Sequence, residues 1–452
     1  MVSSRAADLP DPAVLIARLE AVPFSRWHLR ARIVVGSATF FDAFDALSLA
    51  FVLPVLVRVW QITPAQIGWL IATGYLGQFA GALVFGGLAE RYGRVRSVAG
   101  ATALMSVMSI ACAFAGNFET LITLRLIQGI GVGGEMPVAA VYINELSKAR
   151  GRGRFFLLYE LIFPIGLMMT GQIGAVLVPS LGWQVMFLIG GIPGLVITVL
   201  LLRLPESPRW LIGKGLFAEA DDVIAEIEAS AEPRTTEPRT LEPRSPEPPT
   251  RGAELLAPVY RRRTIIVWAL WAAAYFITNG LNNWMPTLYG SVYHLNLAQA
   301  LRAGTLNNVA QVVILLGCAF AIDRIGRRRW TVAGFAAGAV LLGMLGTFAA
   351  HSVVSVIVLV TISYGIVGSV NAVLYLYTPE IYPTRMRAIG TGAATCWLRL
   401  ASAAGPVLVG YLVTASGTGA VFLMFAAAGA LGAIAGLGML ETRNRRLEEL
   451  AP

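Results

Sequence analysis

"AERYGRVR", residues 89–96, comes back 233 positions later as "IDRIGRRR", residues 322–329, placing Glu90 and Arg91 over Asp323 and Arg324. Each copy follows a long apolar run. "NELSKARGR" (144–152) aligns with "PEIYPTRMR" (379–387), so Glu145, Arg150 and Arg152 fall on Glu380, Arg385 and Arg387 at an offset of 235. "PESPRWL" (205–211) aligns with "LETRNRR" (440–446), with Glu206 on Glu441, again at 235. Three acid-plus-arginine motifs in register mark a duplicated chain. Duplicated apolar halves imply a pseudo-two-fold axis along a membrane normal and a cavity between the halves near the midplane.

The composition agrees: 452 residues at 56% hydrophobic and 13% charged, with mean hydropathy +0.68, are too apolar for a soluble protein. A helix rises about 1.5 Å per residue, so a bilayer core of about 30 Å takes roughly 20 apolar residues to cross. Twelve such stretches are read, at 33–57, 65–88, 97–116, 120–144, 154–178, 183–203, 263–287, 300–321, 330–350, 353–377, 388–413 and 418–440. Several hold Gly or Pro in mid-span, which lipid-embedded helices tolerate when neighbours re-satisfy the backbone, whereas lone strands could not satisfy theirs. The expected fold class is an all-α membrane protein, with twelve transmembrane helices in two pseudo-symmetric six-helix bundles.

Short cytoplasmic loops carry the excess of Lys and Arg. The even-numbered connections hold Arg91, Arg94 and Arg96; Lys148, Arg150, Arg152 and Arg154; Arg324, Arg327, Arg328 and Arg329; and Arg385 with Arg387. The odd-numbered ones hold little beyond Arg58 and Arg302. Both termini are therefore expected in the cytoplasm, with the chain as a multi-pass protein of a bacterial-type inner membrane. Topology accounts for the net charge of +9 and leaves a nucleic-acid partner unneeded. No cleavable signal peptide is read in the polar residues 1–30.

The expected domains are an N-terminal segment (1–32), a first bundle (33–204), a linker (205–262), a second bundle (263–441) and a tail (442–452). The middle of the linker, "EPRTTEPRTLEPRSPEPP" (232–249), repeats Glu-Pro-Arg at a density of Pro that blocks helix and sheet. Amphipathic helices are expected to flank it around 217–230 and 252–260.

The motifs "GGLAERYGRVR", "DRIGRR", "RLIQGIGVGGEMPVAAVYINEL", "PESPRWL" and "PEIYPTRMRAIGTG" resemble those of the major facilitator superfamily across nearly the whole chain. "GVGGEMPV" and "CWLRLASAAGP" look most like the niacin-permease-like group and its relatives, the organic-anion and organic-cation transporters. "FDAFD" (41–45) resembles the first-helix Asp-Gly-x-Asp motif of aromatic-acid/proton symporters, with Ala43 where Gly is usual. Sugar porters share the Pro-Glu loops, so those loops do not name a substrate.

Few ionisable residues lie within the spans, where a central charge costs about 2.5 to 3.5 kcal/mol on insertion scales. They are Asp42 and Asp45 (span 1), Arg125 and Glu135 (span 4), Glu160 (span 5) and Arg399 (span 11). Asp45 is about 12 residues into its span, roughly 18 Å deep, with Asp42 one turn shallower on the same face. Two carboxylates so placed repel and share the cost of burial, so one is suited to bind and release a proton. The competing reading is a permanent pair with Arg125. Resemblance to the sugar porters implies that Asp45 faces Arg125, and Glu135 joins this proton-coupling set.

Arg399 sits near the midplane of a span with no other charge and needs a counter-ion, either a substrate anion or an internal partner such as Glu135 or an Asp. The position resembles an anion-binding Arg of organic-anion transporters. Tyr159, Trp271, Tyr275, Asn279, Asn282, Asn283, Gln311, Asn371, Tyr375 and Trp397 complete the expected substrate site, since amides donate and accept and flat rings stack on flat substrates. Trp60, Trp69 and Trp284 suit interfacial anchors.

The acid-arginine loops are read as a cytoplasmic gate that fastens one half to the other while the cavity faces outward: Glu90, Arg91, Arg94, Glu145, Arg150, Arg152, Glu206, Arg209, Asp323, Arg324, Arg327, Glu380, Arg385, Arg387 and Glu441. The alternative is a set of topology determinants. No phosphate-binding Gly-rich loop is present, and the three cysteines (Cys112, Cys318, Cys396) are isolated, so no cofactor, no metal and no enzyme activity are expected. The expected function is a monomeric, proton-coupled secondary transporter that imports a small aromatic or heterocyclic monocarboxylate, nicotinate- or benzoate-like, by alternating access. A sugar or polyol porter, an organic-cation carrier and a non-translocating receptor remain as alternatives.

Overall fold

The structure, a computed structural model, describes residues 11–23, 25–146, 161–231, 252–349, 352–383 and 386–443. Among these, the helices that cross the bundle are α2 (Arg26–Trp60), α3 (Pro64–Tyr92), α4 (Arg94–Ala113), α5 (Phe118–Glu145), α6 (Ile162–Leu181) and α7 (Gln184–Leu202), then α10 (Pro258–Ser291), α11 (Leu297–Ile325), α12 (Arg327–Met344), α13 (Val353–Glu380) and α14 (Arg387–Leu437). Three short helices lie outside the bundle: α1 (Pro12–Ala21), α8 (Pro208–Gly213) and α9 (Phe217–Ala229).

Eleven described helices are long and apolar enough to cross a membrane. The last, at 51 residues, is too long for one crossing; at 1.5 Å per residue it would run about 77 Å. Gly417 breaks it with φ 77° and ψ −179°. Just past the break, Gly419 lies against Gly346 beyond the end of α12, whereas the Leu437 carbonyl accepts from Arg328 Nη2 (2.8 Å) at its start. Residues 387–416 and 418–437 are therefore two antiparallel spans, which makes twelve.

The first six spans pack mainly on one another, as do the last six, and the two bundles meet along the seams α3–α14, α6–α11 and α2–α10. Within the first bundle, glycines set the spacing. A Cβ at Gly77 would run into the Leu126 carbonyl, one at Gly81 into the backbone of Ile130, and one at Gly133 into Gln78. Lipid tails give no hydrophobic drive for helices to associate, so this close backbone packing is what joins α3 to α5.

The same device joins the bundles at one end. A Cβ at Gly68 would sit 2.7 Å from the Pro406 carbonyl oxygen, and one at Gly410 would meet Pro64. At the opposite, arginine-rich end of this seam, Gly86, Gly87 and Gly392 face open space. One apolar core runs through both bundles from the sealed end and on to the basic end of the second, while the basic end of the first has a separate core and a small one lies between α11 and α13. The bundles thus part toward their basic end.

At that end α1 folds back onto α9, which a reading of residues 1–30 as merely polar did not foresee. Asp11 caps α1 by accepting from the Ala13 N–H (2.9 Å). Its apolar face, Leu15, Leu19 and Val22, joins Ala220, Ile224 and Ile227 in one core. Arg18 spans the rim to Asp221 (2.5 Å) and Glu228 (2.8 Å). Around the linker, one expected helix (217–230) is α9 and the other (252–260) is a single 3-10 turn at Gly252–Leu256 before α10. The Glu-Pro-Arg repeat and residues 444–452 lie outside the described residues. Trp284 is no interfacial anchor: it is 2% exposed and donates to the Pro406 carbonyl (3.1 Å), because the turn of α10 that carries it faces α14.

Gly81→Val should force α3 from α5 and lower stability by about 1–3 kcal/mol, the usual cost of overpacking, visible as a lower unfolding temperature in detergent. For α1, packing should outweigh charge. Ile224→Ala is expected to cost about 2–5 kcal/mol and to expose residues 12–22 to protease. Arg18→Ala, which breaks part-exposed pairs, should cost under about 1 kcal/mol and leave the digestion pattern unchanged.

Candidate functional site

Halfway along α2, the two aspartates are handed to different neighbours. Asp45, 1% exposed, turns into the first bundle. Its Oδ1 accepts from Ser109 Oγ of α4 (2.8 Å) and Gln128 Nε2 of α5 (2.7 Å). Arg125 Nη1 lies 3.7 Å from Asp45 Oδ2 and donates to Gln128 Oε1 (2.7 Å). Arg125, Gln128 and Asp45 form a closed ring of contacts. Room for it comes from glycines, because a Cβ at Gly190 would stand 3.2 Å from Asp45 Oδ1 and one at Gly74 3.2 Å from Arg125 Nη2.

Asp42, 4% exposed, turns toward α5 and α14. Its Oδ1 is buried and has no hydrogen-bond partner, and the charges acting on it are those of Glu135, Asp45 and Arg399. Glu135 is fully buried. Its Oε1 accepts from Thr39 Oγ1 (3.3 Å), one turn from Asp42, and its Oε2 has no partner. Arg399, 6% exposed, reaches from the second bundle to the Gly133 carbonyl of the first (3.3 Å), and its Nε is buried without a partner. Asp42, Tyr275 and Tyr375 lie within its electrostatic reach.

The aromatic side chains expected around Arg399 are brought together from two helices. Trp271 and Tyr275 stack with centroids 5.6 Å apart and planes 8° from parallel, and Tyr375 meets Trp271 edge-on at 4.5 Å. Trp271 Nε1 donates to Thr378 Oγ1 (2.9 Å), which fixes its ring. Trp397 is not part of this group. It is 41% exposed and lies against Trp268, since two residues of helix carry it about 200° round from Arg399.

The amides form a chain along α10. Asn279 donates to Ser402 Oγ (2.6 Å), Asn282 exchanges bonds with Asn308 (3.2 and 3.3 Å), and Asn283 reaches across to Tyr75 OH in the first bundle (3.1 Å). Asn371 donates to Thr278 Oγ1 (3.1 Å) and Gln311 to the Gly368 carbonyl (3.5 Å), and each keeps its own buried oxygen unpartnered. Arg399 beside stacked rings, with spare amide acceptors nearby, can hold a flat anion that also has a donor group.

At the basic end, where the bundles part, the described gate residues pair within each bundle; the fastening between halves is expected of the outward-facing conformation. Arg94 donates to Glu90 (2.8 Å) and Glu145 (3.1 Å), and Glu206 accepts from the backbone N–H of Arg94 (2.8 Å) and Val95 (3.1 Å). In the second bundle, Arg327 donates to Asp323 (3.0 Å) and Glu380 (3.4 Å), and Glu441 accepts from the N–H of Arg327 (3.0 Å) and Arg328 (3.2 Å). Each capping carboxylate sits where a helix N-terminus favours negative charge. The turns are so tight that Gly93 (φ 109°) and Gly326 (φ 97°) lie against Glu206 and Glu441, where no side chain fits. Arg209 donates to the Glu145 carbonyl (3.0 Å) and Arg387 to that of Tyr382 (3.2 Å), while Arg91 and Arg324 are exposed. Arg150, Arg152, Arg385, Tyr159 and Glu160 lie outside the described residues.

Sequence reading missed Ser109, Gln128, Thr39, Tyr75 and the Gly133 carbonyl. Gln128, three residues from Arg125, was open to the same face argument used for the aspartates. The others are contacts between helices, with no local signal.

The chain matches the family model "Sugar (and other) transporter" over residues 39–452. It is 32% identical to the niacin transporter NiaP of Acinetobacter baylyi over 413 residues, which is 91% of this chain and 93% of that protein. It is 27% identical to the 4-hydroxybenzoate transporter PcaK of Pseudomonas aeruginosa, covering 83% of this chain and 84% of that one. Among solved structures, the xylose transporter XylE of E. coli in a partially occluded inward-open conformation superposes with a TM-score of 0.73 at 20% identity, over 93% of this chain and 100% of that one. The twelve spans and the match over residues 39–452 together make this chain a membrane transporter of the sugar (and other) transporter family.

Proposed function

We propose that the protein is a proton-coupled importer of a small aromatic or heterocyclic monocarboxylate, of the nicotinate or hydroxybenzoate class, working by alternating access in a bacterial-type inner membrane with its basic end in the cytoplasm. The observation that carries this reading is Arg399. It is a permanent cation, 6% exposed at mid-height, with an unpartnered Nε and with Trp271, Tyr275 and Tyr375 close by. A guanidinium presents a planar fork that fits a carboxylate, and the rings accept the flat body attached to it. The similarity to a niacin transporter and to 4-hydroxybenzoate transporters supports the same class.

The transport step follows from the packing. Residues 33–204 and 263–441 would move as two bodies, sealed at the end opposite the arginine loops by Gly68 against Pro406. Closing the basic end would bring Gly86, Gly87 and Gly392 from open space into contact. A proton taken up by a first-helix carboxylate would offset the charge of the anion arriving at Arg399 and let the bundles rock. The Glu206 and Glu441 caps would keep each bundle rigid while they do so.

Proteoliposomes given labelled nicotinate, 4-hydroxybenzoate, a hexose and a quaternary amine should accumulate the carboxylates when the proton gradient points inward. Arg399→Ala should lower carboxylate uptake at least tenfold. Uptake of the hexose or the amine instead, or carboxylate uptake indifferent to Arg399, would count against this reading. Either Asp45→Asn or Arg125→Gln, by leaving one member of a buried ion pair alone, should destabilise the protein by about 3–5 kcal/mol. The double variant should recover part of that loss in a thermal unfolding scan.

A further inference from the structure

Mid-height in the described residues, three acids (Asp42, Asp45, Glu135) meet two guanidiniums (Arg125, Arg399), all of them buried. Burial makes an uncompensated charge costly, so such a set is neutral only when it holds one proton. Geometry shows where that proton is not needed. Asp45 already has two donors on Oδ1 and Arg125 beside Oδ2, an arrangement made for a carboxylate ion. Asp42 and Glu135 are less well served. Asp42 Oδ1 and Glu135 Oε2 are buried without a hydrogen-bond partner, as Asp45 Oδ2 is, but among the described residues neither acid has an arginine at ion-pair distance, and Thr39, which donates to Glu135, stands one turn from Asp42 on the same face of α2. The other ionisable groups acting on this pocket are Arg399 and Cys396 of α14, Arg125 of α5, Tyr275 of α10, Tyr375 of α13 and Tyr75 of α3. Of these, only the two guanidiniums carry charge at neutral pH.

We propose that Asp42 and Glu135 form a carboxyl pair that carries the coupling proton, and that a substrate carboxylate arriving at Arg399 is what loads it. This rests on the reading of the protein as a carboxylate transporter. In the empty site the pair shares one proton, and its remaining negative charge is the counter-ion of Arg399. When the substrate carboxylate engages Arg399, that charge loses its partner. The pair then takes one proton from water, forming a second carboxyl O–H, and the loaded site is neutral. Release of the anion returns the guanidinium to the pair, and the second proton leaves. One proton therefore moves with each monocarboxylate and the cycle transfers no net charge. Asp45 and Arg125 cancel one another throughout and act as positioning residues.

Two measurements on the purified full chain test this. The first needs no substrate: infrared titration should show a buried protonated carboxyl group at neutral pH in the wild type. It should persist in the neutral double variant Asp45→Asn/Arg125→Gln and vanish in Asp42→Asn and in Glu135→Gln, because each of these leaves one carboxylate balanced by Arg399. The second follows proton uptake from a weakly buffered solution as nicotinate or 4-hydroxybenzoate binds. Wild type and both single variants should take up one proton per carboxylate bound. Asp42→Asn/Glu135→Gln should bind the carboxylate at least as tightly, without proton uptake and without dependence on pH. The proposal is overturned if the carboxyl signal survives both single substitutions or disappears with Asp45, or if the Asp42/Glu135 double variant still takes up a proton. Should the wild type bind neither compound, the substrate reading fails, and the infrared result still decides whether the pair holds a proton.

Discussion

A charge held in the middle of a hydrocarbon layer must be cancelled by something within a few ångströms, and the organisation of this protein follows from that constraint. Arg125 and Asp45 satisfy it inside one bundle, with Ser109 and Gln128 donating to the Asp45 Oδ1 that faces them. Arg399 meets the same demand at the boundary between bundles, where it donates to the Gly133 carbonyl of the other bundle (3.3 Å) and lies within the electrostatic reach of Asp42. A pair within one rigid body is unaffected when the bodies move. A pair that bridges two bodies is remade in each conformation, so it is where binding, charge and motion become linked.

The duplication shows which features belong to the scaffold. Glu206 and Glu441 cap equivalent helices, Gly93 and Gly326 make equivalent tight turns, and Arg94 and Arg327 each hold two acids. Glu90 and Asp323, with side chains 71% and 61% exposed, add little energy to these sets. The caps matter more, because they satisfy backbone donors that helix N-termini leave without an intrahelical partner. None of the mid-height charges is duplicated. Positions 233 to 235 beyond Asp42, Asp45, Arg125 and Glu135 hold no ionisable residue except Tyr275, and those 233 to 235 before Arg399 hold none. The repeated half supplies shape, and the chemistry lies in the asymmetry between the halves.

Glycine does the remaining architectural work. It brings α3 onto α5 and α3 onto α14 at backbone contact, so the sealed end is held by shape and dispersion, with few charges to break. A contact of that kind is strong at one separation and weak slightly beyond it, which suits an interface that must alternate between closed and open.

The sequence alone determined that the chain crosses a membrane, how many times, and that its halves are copies, because apolar length and repeated motifs are local properties that survive without coordinates. It also singled out the six ionisable residues within the spans, since charge in an apolar run stands out by composition. Tertiary structure decided what those residues face. Asp42 and Asp45, three positions apart and read as one site, go to separate neighbours: Asp45 bonds Ser109 of α4 and Gln128 of α5, while the charges acting on Asp42 include Glu135 of α5 and Arg399 of α14. Trp397, two positions from Arg399, turns away from it, and the gate acids bind arginines of their own bundle. The helix at 12–21 was not read from the sequence, although Asp11 and the spacing of Leu15, Leu19 and Val22 mark it, and its partner, α9, lies some two hundred residues further along the chain. A neighbour in space leaves no mark on local sequence, so which carboxylate is balanced and which is left to hold a proton is settled only by how the helices pack.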